Sequence, residues 1–130
     1  MPVSFAQIEI GNSYSRHYLA RIWGYAGFQA LARGVVTPQG DNKIILFVTR
    51  EKQSSSEQYA NELIGHELRW EGPTDHFAER RIIAASVSAD EIHLFYRDRH
   101  HSDFVYYGKL QLASRVIRAD KSSSFVFQLT

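Results

Sequence analysis

The segment Trp70-Glu71-Gly72 has the clearest capacity for chemistry in this sequence. An indole offers a flat apolar surface, and the neighbouring carboxylate accepts hydrogen bonds. A pocket for a flipped cytosine requires both features, because the base stacks on a ring and its exocyclic amine needs an acceptor. In the alternative interpretation, Trp70 packs in the core and Glu71 is a surface neighbour. The residue types alone favour this alternative.

Two further aromatic residues, Tyr25 and Phe28, lie in a segment that begins at Gly24 and contains Gly27. Glycines allow such a segment to turn sharply. The aromatic rings then either pack on the core or stand out as a stacking surface. The sequence leaves both alternatives open.

A turn rich in histidine and aspartate separates two β-like segments. The turn contains Asp98, His100, His101 and Asp103, and His93 lies in the β-like segment before it. Imidazole and carboxylate are ligands for zinc, but this spacing matches no known ligand pattern, and adjacent side chains on a strand point to opposite sides. We therefore predict a solvated hairpin tip, with no metal ion and no other cofactor.

The same turn has a second interpretation, as a surface that contacts phosphates. Four of its side chains carry or can acquire positive charge, namely Arg97, Arg99, His100 and His101. If the hairpin lies against a duplex, these groups reach the phosphate backbone.

Catalytic motifs are absent from the sequence. There is no cysteine and no Gly-x-Ser-x-Gly motif, and the glycines at 24 and 27 lack the ending of a phosphate-binding loop. We therefore predict a binding protein and not an enzyme.

The length of 130 residues predicts a single domain over 1–130. The N-terminus lacks the pattern of a signal peptide, and the longest apolar run, 44–48, is far too short to cross a membrane. Together with the absence of cysteine, these features predict a cytoplasmic protein with no membrane partner.

The net charge of +1 conceals an uneven distribution. Residues 41–79 contain four basic and eight acidic side chains, whereas residues 80–121 contain eight basic and five acidic ones. A molecule of this kind can present a basic face to a phosphate backbone although its total charge is near zero.

The elements that must position these residues are mostly strands. Helical spacing over 13–23 predicts a helix that begins after Ser13 or Ser15 and ends at Gly24. Strand patterns predict one hairpin from 34–37 and 43–49, a second from 91–97 and 104–112, and single strands at 67–71 and 124–129. Segments 57–63 and 78–86 fit short helices. The expected fold is α+β, with a curved sheet or small barrel of about six strands and about two helices.

Seven blocks, in the same order along the chain, resemble a known domain. They span residues 14–16, 23–25, 32–38, 45–52, 70–72, 92–97 and 104–108, and the most specific are Leu-Phe-Val-Thr-x-x-Lys at 46–52 and Phe-x-Tyr-x-Gly at 104–108. The pattern is similar to the SRA-like domain of the PUA superfamily, found in bacterial modification-dependent restriction proteins. The resemblance implies a curved PUA-like β-barrel that flips a 5-methylcytosine or related base out of double-stranded DNA, in the service of a nuclease or helicase.

Carried over by position, the resemblance and the residue types together give two sets of candidate residues. The expected base pocket contains Tyr25, Phe28, Tyr59, Trp70, Glu71 and His76. The expected contacts to the DNA backbone are Arg33, Lys52, Arg81, Arg97, Arg99, His100 and His101. The sequence departs from the family pattern near His76, where a glycine or aspartate is expected closer to the histidine.

Two other functions compete with this expectation. A PUA-like relative could bind RNA or process a modified nucleoside. A protein-interaction module could instead dock a partner through the acidic middle of the chain, with Glu62 and Glu67 as contact residues.

Overall fold

The computed structural model describes residues 3–50 and 61–130, which form eight strands, two α-helices and one 3-10 helix. In chain order these are β1 Ser13–Tyr14, α1 Arg16–Ile22, the 3-10 helix Phe28–Leu31, β2 Val35–Val36, β3 Lys43–Thr49, β4 Glu62–Ile64, β5 Glu67–Glu71, α2 Glu79–Ala84, β6 Glu91–Arg97, β7 Phe104–Val116 and β8 Ser124–Leu129. The predicted α+β class is confirmed. No described helix has the length and apolar character needed to cross a membrane.

All eight strands belong to one mixed sheet with the order β2-β3-β6-β7-β8-β5-β4, and β1 pairs with β7 beside this path. Strands β3 and β6 are parallel, and the other pairs are antiparallel. Within the described residues, the two end strands β2 and β4 do not pair with each other. The sheet is therefore open along this path, and closure into a barrel is not observed.

Strand β3 is covered on both faces, as its unbroken apolar run predicts. Ile45 and Phe47 belong to one buried cluster, together with residues of α1 and the N-terminal segment. Ile44, Leu46 and Val48 point the other way, into a second cluster. Alternation of side chains along a strand produces this division.

The second cluster reveals how strongly the sheet curves. Val35 on the end strand β2 shares this cluster with Leu68 and Trp70 on β5, although β5 lies five steps away in the strand order. Irregular registers where β7 pairs with β6 and with β8 contribute to the bend, because a β-bulge bends and twists its strand. Helix α2 supplies Ile82 to the same cluster.

Helix α1 begins at Arg16, after the second of its two predicted N-cap positions. Ser15 is the N-cap, and its hydroxyl accepts a hydrogen bond from the Tyr18 N–H at 3.0 Å. Ser13 and Tyr14 instead pair with β7. The Tyr14 ring is buried, and its hydroxyl accepts from the Glu9 N–H at 2.8 Å, which fixes these residues in an extended conformation.

The helix predicted over 57–63 is wrong for the residues that the structure describes. Glu62–Ile64 form β4 and pair with β5 in antiparallel register. Pairing with a neighbouring strand supplies the backbone hydrogen bonds that decide this conformation. Residues 57–60 lie outside the described part of the chain.

Candidate functional site

A cavity of about 320 Å³ lies where the curved sheet brings the segment before β2 close to the end of β5. The segment before β2 contributes Arg33, and β5 contributes Trp70 and Glu71. Asn61, which precedes β4, and Phe77, in the loop after β5, also line the cavity. The volume falls at the lower end of the range for small-molecule sites.

Trp70 is a core residue that also borders this cavity. Only 5% of its surface is exposed, and its ring lies 5.5 Å from Phe125 and 6.0 Å from Phe127 between centroids. The packing interpretation favoured by the residue types is therefore correct for most of the indole. Little of the ring is left for a ligand to stack on.

Glu71 lies beside Trp70 with its carboxylate at the cavity. Its Oε1 accepts a hydrogen bond from the Ser124 hydroxyl at 3.1 Å, and its Oε2 lies 3.9 Å from Nη1 of Arg118. The Glu71 N–H donates to Oδ1 of Asn61 at 2.9 Å. Since a carboxylate has about four acceptor positions, Glu71 retains the capacity to accept further hydrogen bonds.

Arg33 and Phe77 form a stacked pair in the cavity wall. The guanidinium carbon of Arg33 lies 4.3 Å from the centroid of the Phe77 ring, and Nη2 lies 3.4 Å from Oδ2 of Asp75. Both side chains also line a shallower depression of about 240 Å³, whose lining includes Tyr25. Of the residues expected in the base pocket, Tyr25 is therefore near the cavity but not in its lining.

The other residues expected in the base pocket lie elsewhere. His76 is outside the cavity lining, and its Nδ1 lies 2.7 Å from Oε2 of Glu79. Phe28 lies on a different surface, with its ring 4.3 Å from that of His17. Tyr59 is outside the described residues.

A second concave surface, of about 540 Å³, lies between the start of α1 and the hairpin that joins β6 to β7. We call it the basic groove, and its charged or polar residues are Ser15, Arg16, His17, Arg97, His100, His101, Ser102 and Asp103, with Phe28 and Phe104 as its aromatic members. Three of the expected phosphate contacts, Arg97, His100 and His101, meet here.

The remaining candidates for phosphate contact are dispersed. Arg33 lies in the cavity wall, and Arg99 lies at the tip of the β6–β7 hairpin, outside the groove lining. Lys52 is outside the described residues. Arg81 lines neither the cavity nor the groove, because its guanidinium holds Asp90 through Nε at 3.1 Å and Nη2 at 3.0 Å.

His93 belongs to the core and not to the hairpin tip. Its ring stacks on Phe5 at 3.8 Å, Nδ1 lies 2.7 Å from the Tyr106 hydroxyl, and Nε2 lies 3.0 Å from Oε1 of Glu91. A neutral imidazole satisfies both contacts if Nε2–H donates to Glu91 and Nδ1 accepts from the Tyr106 O–H. Burial lowers the pKa of His93, and burial together with Glu91 raises the pKa of Tyr106 to about 12.

Within residues 3–50 and 61–130, no three histidine or acidic side chains are arranged to hold a metal ion. Because His93 lies in the core, it is not available as a metal ligand beside the histidines of the hairpin tip.

No protein-family model matches this chain, and no curated protein matches it.

Sequence reasoning assigned no role to Arg16, the residue that completes the basic groove. Arg16 and Arg97 are 81 residues apart in the chain, yet both guanidinium groups lie over the Phe104 ring, at 4.8 and 4.2 Å from its centroid. No local pattern connects two positions at such a separation. Phe77, the partner of Arg33, was missed for the same reason.

Proposed function

We propose that this protein binds double-stranded DNA carrying a modified base, most simply 5-methylcytosine or a related cytosine, and holds the extruded base in the cavity beside Glu71. The observation that carries the proposal is the composition of that cavity. It combines a carboxylate with open acceptor capacity and a wall in which the Arg33 guanidinium lies over the Phe77 ring, and a separate groove carries basic side chains. These are the features that recognition of a flipped base requires.

In this proposal the fold is a PUA-like, SRA-like curved barrel, and the protein is a cytoplasmic reader with no catalytic activity. It would act for a nuclease or helicase in a restriction system. The strong curvature of the sheet supports this part of the proposal, because it places residues of β2 and β5 in one cluster.

The proposed roles inside the cavity follow from the contacts described above. Glu71 accepts a hydrogen bond from the exocyclic amine of the base, as Asp and Glu do with cytosine N4. The exposed side of the Arg33–Phe77 pair covers the flat face of the base. Trp70 contributes a small part of the wall and keeps β5 in place from within the core.

The proposed affinity comes mainly from the phosphate backbone. Extrusion costs a few kcal/mol, and stacking returns about 1–3 kcal/mol per base. Contacts from Arg97, His100 and His101 in the basic groove must supply the rest. Binding is therefore expected to weaken steeply as the salt concentration rises.

The direct test measures equilibrium binding to three matched ligands by fluorescence anisotropy. The ligands are a duplex with one 5-methylcytosine, the same duplex without it, and a single-stranded RNA of the same sequence. We expect the modified duplex to bind best. Equal affinity for both duplexes would overturn modified-base recognition, preference for the RNA would favour a PUA-like RNA binder, and no binding at low salt would favour a protein-interaction module.

Two variants on β5 locate the site. Glu71→Gln keeps the shape of the side chain but replaces the carboxylate by an amide, so we expect the preference for the modified duplex to fall about tenfold or more. Glu67→Gln is the matched control, because it makes the same charge change on the same strand, outside the cavity lining. If both variants lower affinity equally, charge and not the cavity controls binding.

A further inference from the structure

We propose that the basic groove is a phosphate-binding site in its own right, in which Arg16 and Arg97 together hold one phosphate group. None of the groove residues lines the cavity at Glu71. The inference therefore depends on the groove alone, and it holds whether or not the cavity accepts a base.

Backbone carbonyls and a hydroxyl fix the two guanidinium groups in position. Arg16 donates through Nε to the Leu31 carbonyl at 2.6 Å and through Nη2 to the Arg33 carbonyl at 3.4 Å. Arg97 donates through Nε to Oγ1 of Thr49 at 2.8 Å and through Nη1 to the Ser102 carbonyl at 3.0 Å. Both side chains are therefore oriented before any ligand binds.

Each of these contacts uses one of the five N–H donors of a guanidinium group. Within the described residues, no further acceptor takes a hydrogen bond from Arg16 or Arg97. With the partners in the described residues counted, three donors remain on each side chain. The guanidinium carbons of Arg16 and Arg97 lie 4.8 and 4.2 Å from the Phe104 centroid, so they are no more than about 9 Å apart.

In the described part of the chain, the positive charge of this pair has no direct counter-ion. Over residues 3–50 and 61–130, no carboxylate lies within ion-pair distance of Arg16 or Arg97. Asp103 is the acidic residue of the groove lining, and it is solvent-exposed. Burial, and then the charge of Arg97, lower the pKa of Arg16 to about 10, and burial also lowers the pKa of Arg97.

A bound anion would stabilise the charged forms of Arg16 and Arg97, because it places an opposite charge next to two partly buried cations. Phosphate fits best, since its several oxygens accept bidentate hydrogen bonds from guanidinium groups. His17, His100 and His101 add ring N–H donors around the same groove. The phosphate belongs either to a nucleic-acid strand or to a small phosphate monoester, and competition separates these two sources.

The test follows the side-chain Nε–Hε NMR resonances of arginine during titration with inorganic phosphate, with chloride added to keep the ionic strength constant. Sulfate serves as a second dianion. We expect saturable shifts for Arg16 and Arg97. Affinity should fall at least tenfold in Arg97→Gln and in Arg16→Gln, and Arg97→Lys, which keeps the charge, should fall between these variants and the natural protein.

Arg115→Gln is the matched control, because Arg115 is exposed and lies eleven residues further along β7 than Phe104. We expect its phosphate affinity to stay within twofold. Circular dichroism checks that each variant is folded. Shifts that do not saturate, or equal losses in Arg97→Gln and Arg115→Gln, would overturn the site.

Competition then identifies the source of the phosphate. If unmodified duplex displaces inorganic phosphate, the groove holds the strand backbone. If a nucleoside monophosphate displaces it and duplex does not, the groove serves a small ligand. The second result supports the phosphate site while contradicting the proposed role of the groove in DNA binding, so the two proposals can fail separately.

Discussion

The guanidinium group of Arg33 stacks on the ring of Phe77, with 4.3 Å between the guanidinium carbon and the ring centroid. Arg33 precedes β2 in the chain, and Phe77 follows β5. Together the two side chains separate the cavity from the depression near Tyr25. Arg33 is thus a wall residue in addition to a source of positive charge.

Phe77→Leu tests this wall. Leucine keeps an apolar side chain but removes the ring, so we expect a loss of about 1 kcal/mol in the free energy of unfolding. Under the proposed function, the preference for modified over plain duplex should also disappear, because Arg33 loses its stacking partner. Chemical denaturation and duplex competition measure the two effects. A variant with unchanged preference would show that the base does not contact this wall.

Trp70→Ala tests whether the indole acts mainly in the core. The ring packs against Phe125 and Phe127, and 5% of the residue is exposed. We expect the free energy of unfolding to fall by about 3–5 kcal/mol. Trp70→Phe should lose less, because it keeps an aromatic ring on β5. A loss below about 1 kcal/mol in Trp70→Ala, measured by urea denaturation, would contradict the packing argument.

His93 should make the protein less stable in acid. Because burial holds its pKa below the ordinary 6.5, the unfolded chain binds a proton before the folded protein does as the pH falls below 6.5. Stability is therefore lost as the pH falls from 6.5 to the pKa of His93 in the folded protein. The loss is up to about 1.4 kcal/mol per pH unit for this one proton. The hydrogen bond with His93 lowers the pKa of Glu91. Stability is therefore also lost through Glu91 as the pH falls below 4.5.

Urea denaturation at pH values from 5 to 8 measures this effect. We expect His93→Gln to show a shallower decline below pH 6.5 than the natural protein. His66→Gln is the control, since His66 is exposed in the turn between β4 and β5. If His93→Gln and the natural protein lose stability in parallel, the buried histidine does not control the acid response.

Gly108 allows β7 to bend. Its φ is +97°, and an added Cβ would lie 3.0 Å from Cδ1 of Ile10. Gly108→Ala should therefore cost about 1–3 kcal/mol of stability through backbone strain and this close contact. Gly65→Ala is the comparison, because Gly65 also has a positive φ but open space around its Cα. Equal thermal shifts in the two variants would remove Ile10 from the explanation.

Local sequence patterns predicted most of the strands. Strands β5, β6 and β8 have the predicted bounds, because alternation of apolar and polar residues and turn-forming residues are properties of short segments. The N-cap of α1 at Ser15 was one of two predicted positions for the same reason. The helix predicted over 57–63 fails at 62–63, where pairing with the neighbouring strand β5 decided the conformation. Pairing of residues 13–14 with the distant strand β7 left Ser15, and not Ser13, as the N-cap of α1.

The sequence by itself therefore determined the α+β class, the two-sided burial of β3 and the presence of Trp70 and Glu71 next to each other. Only the tertiary structure decided that most of Trp70 lies in the core, that Arg33 meets Phe77, and that Arg16 meets Arg97 over Phe104. The physical reason is the distance along the chain over which each effect acts. Periodicity and capping act over a few residues, whereas these meetings depend on how far the whole sheet curves.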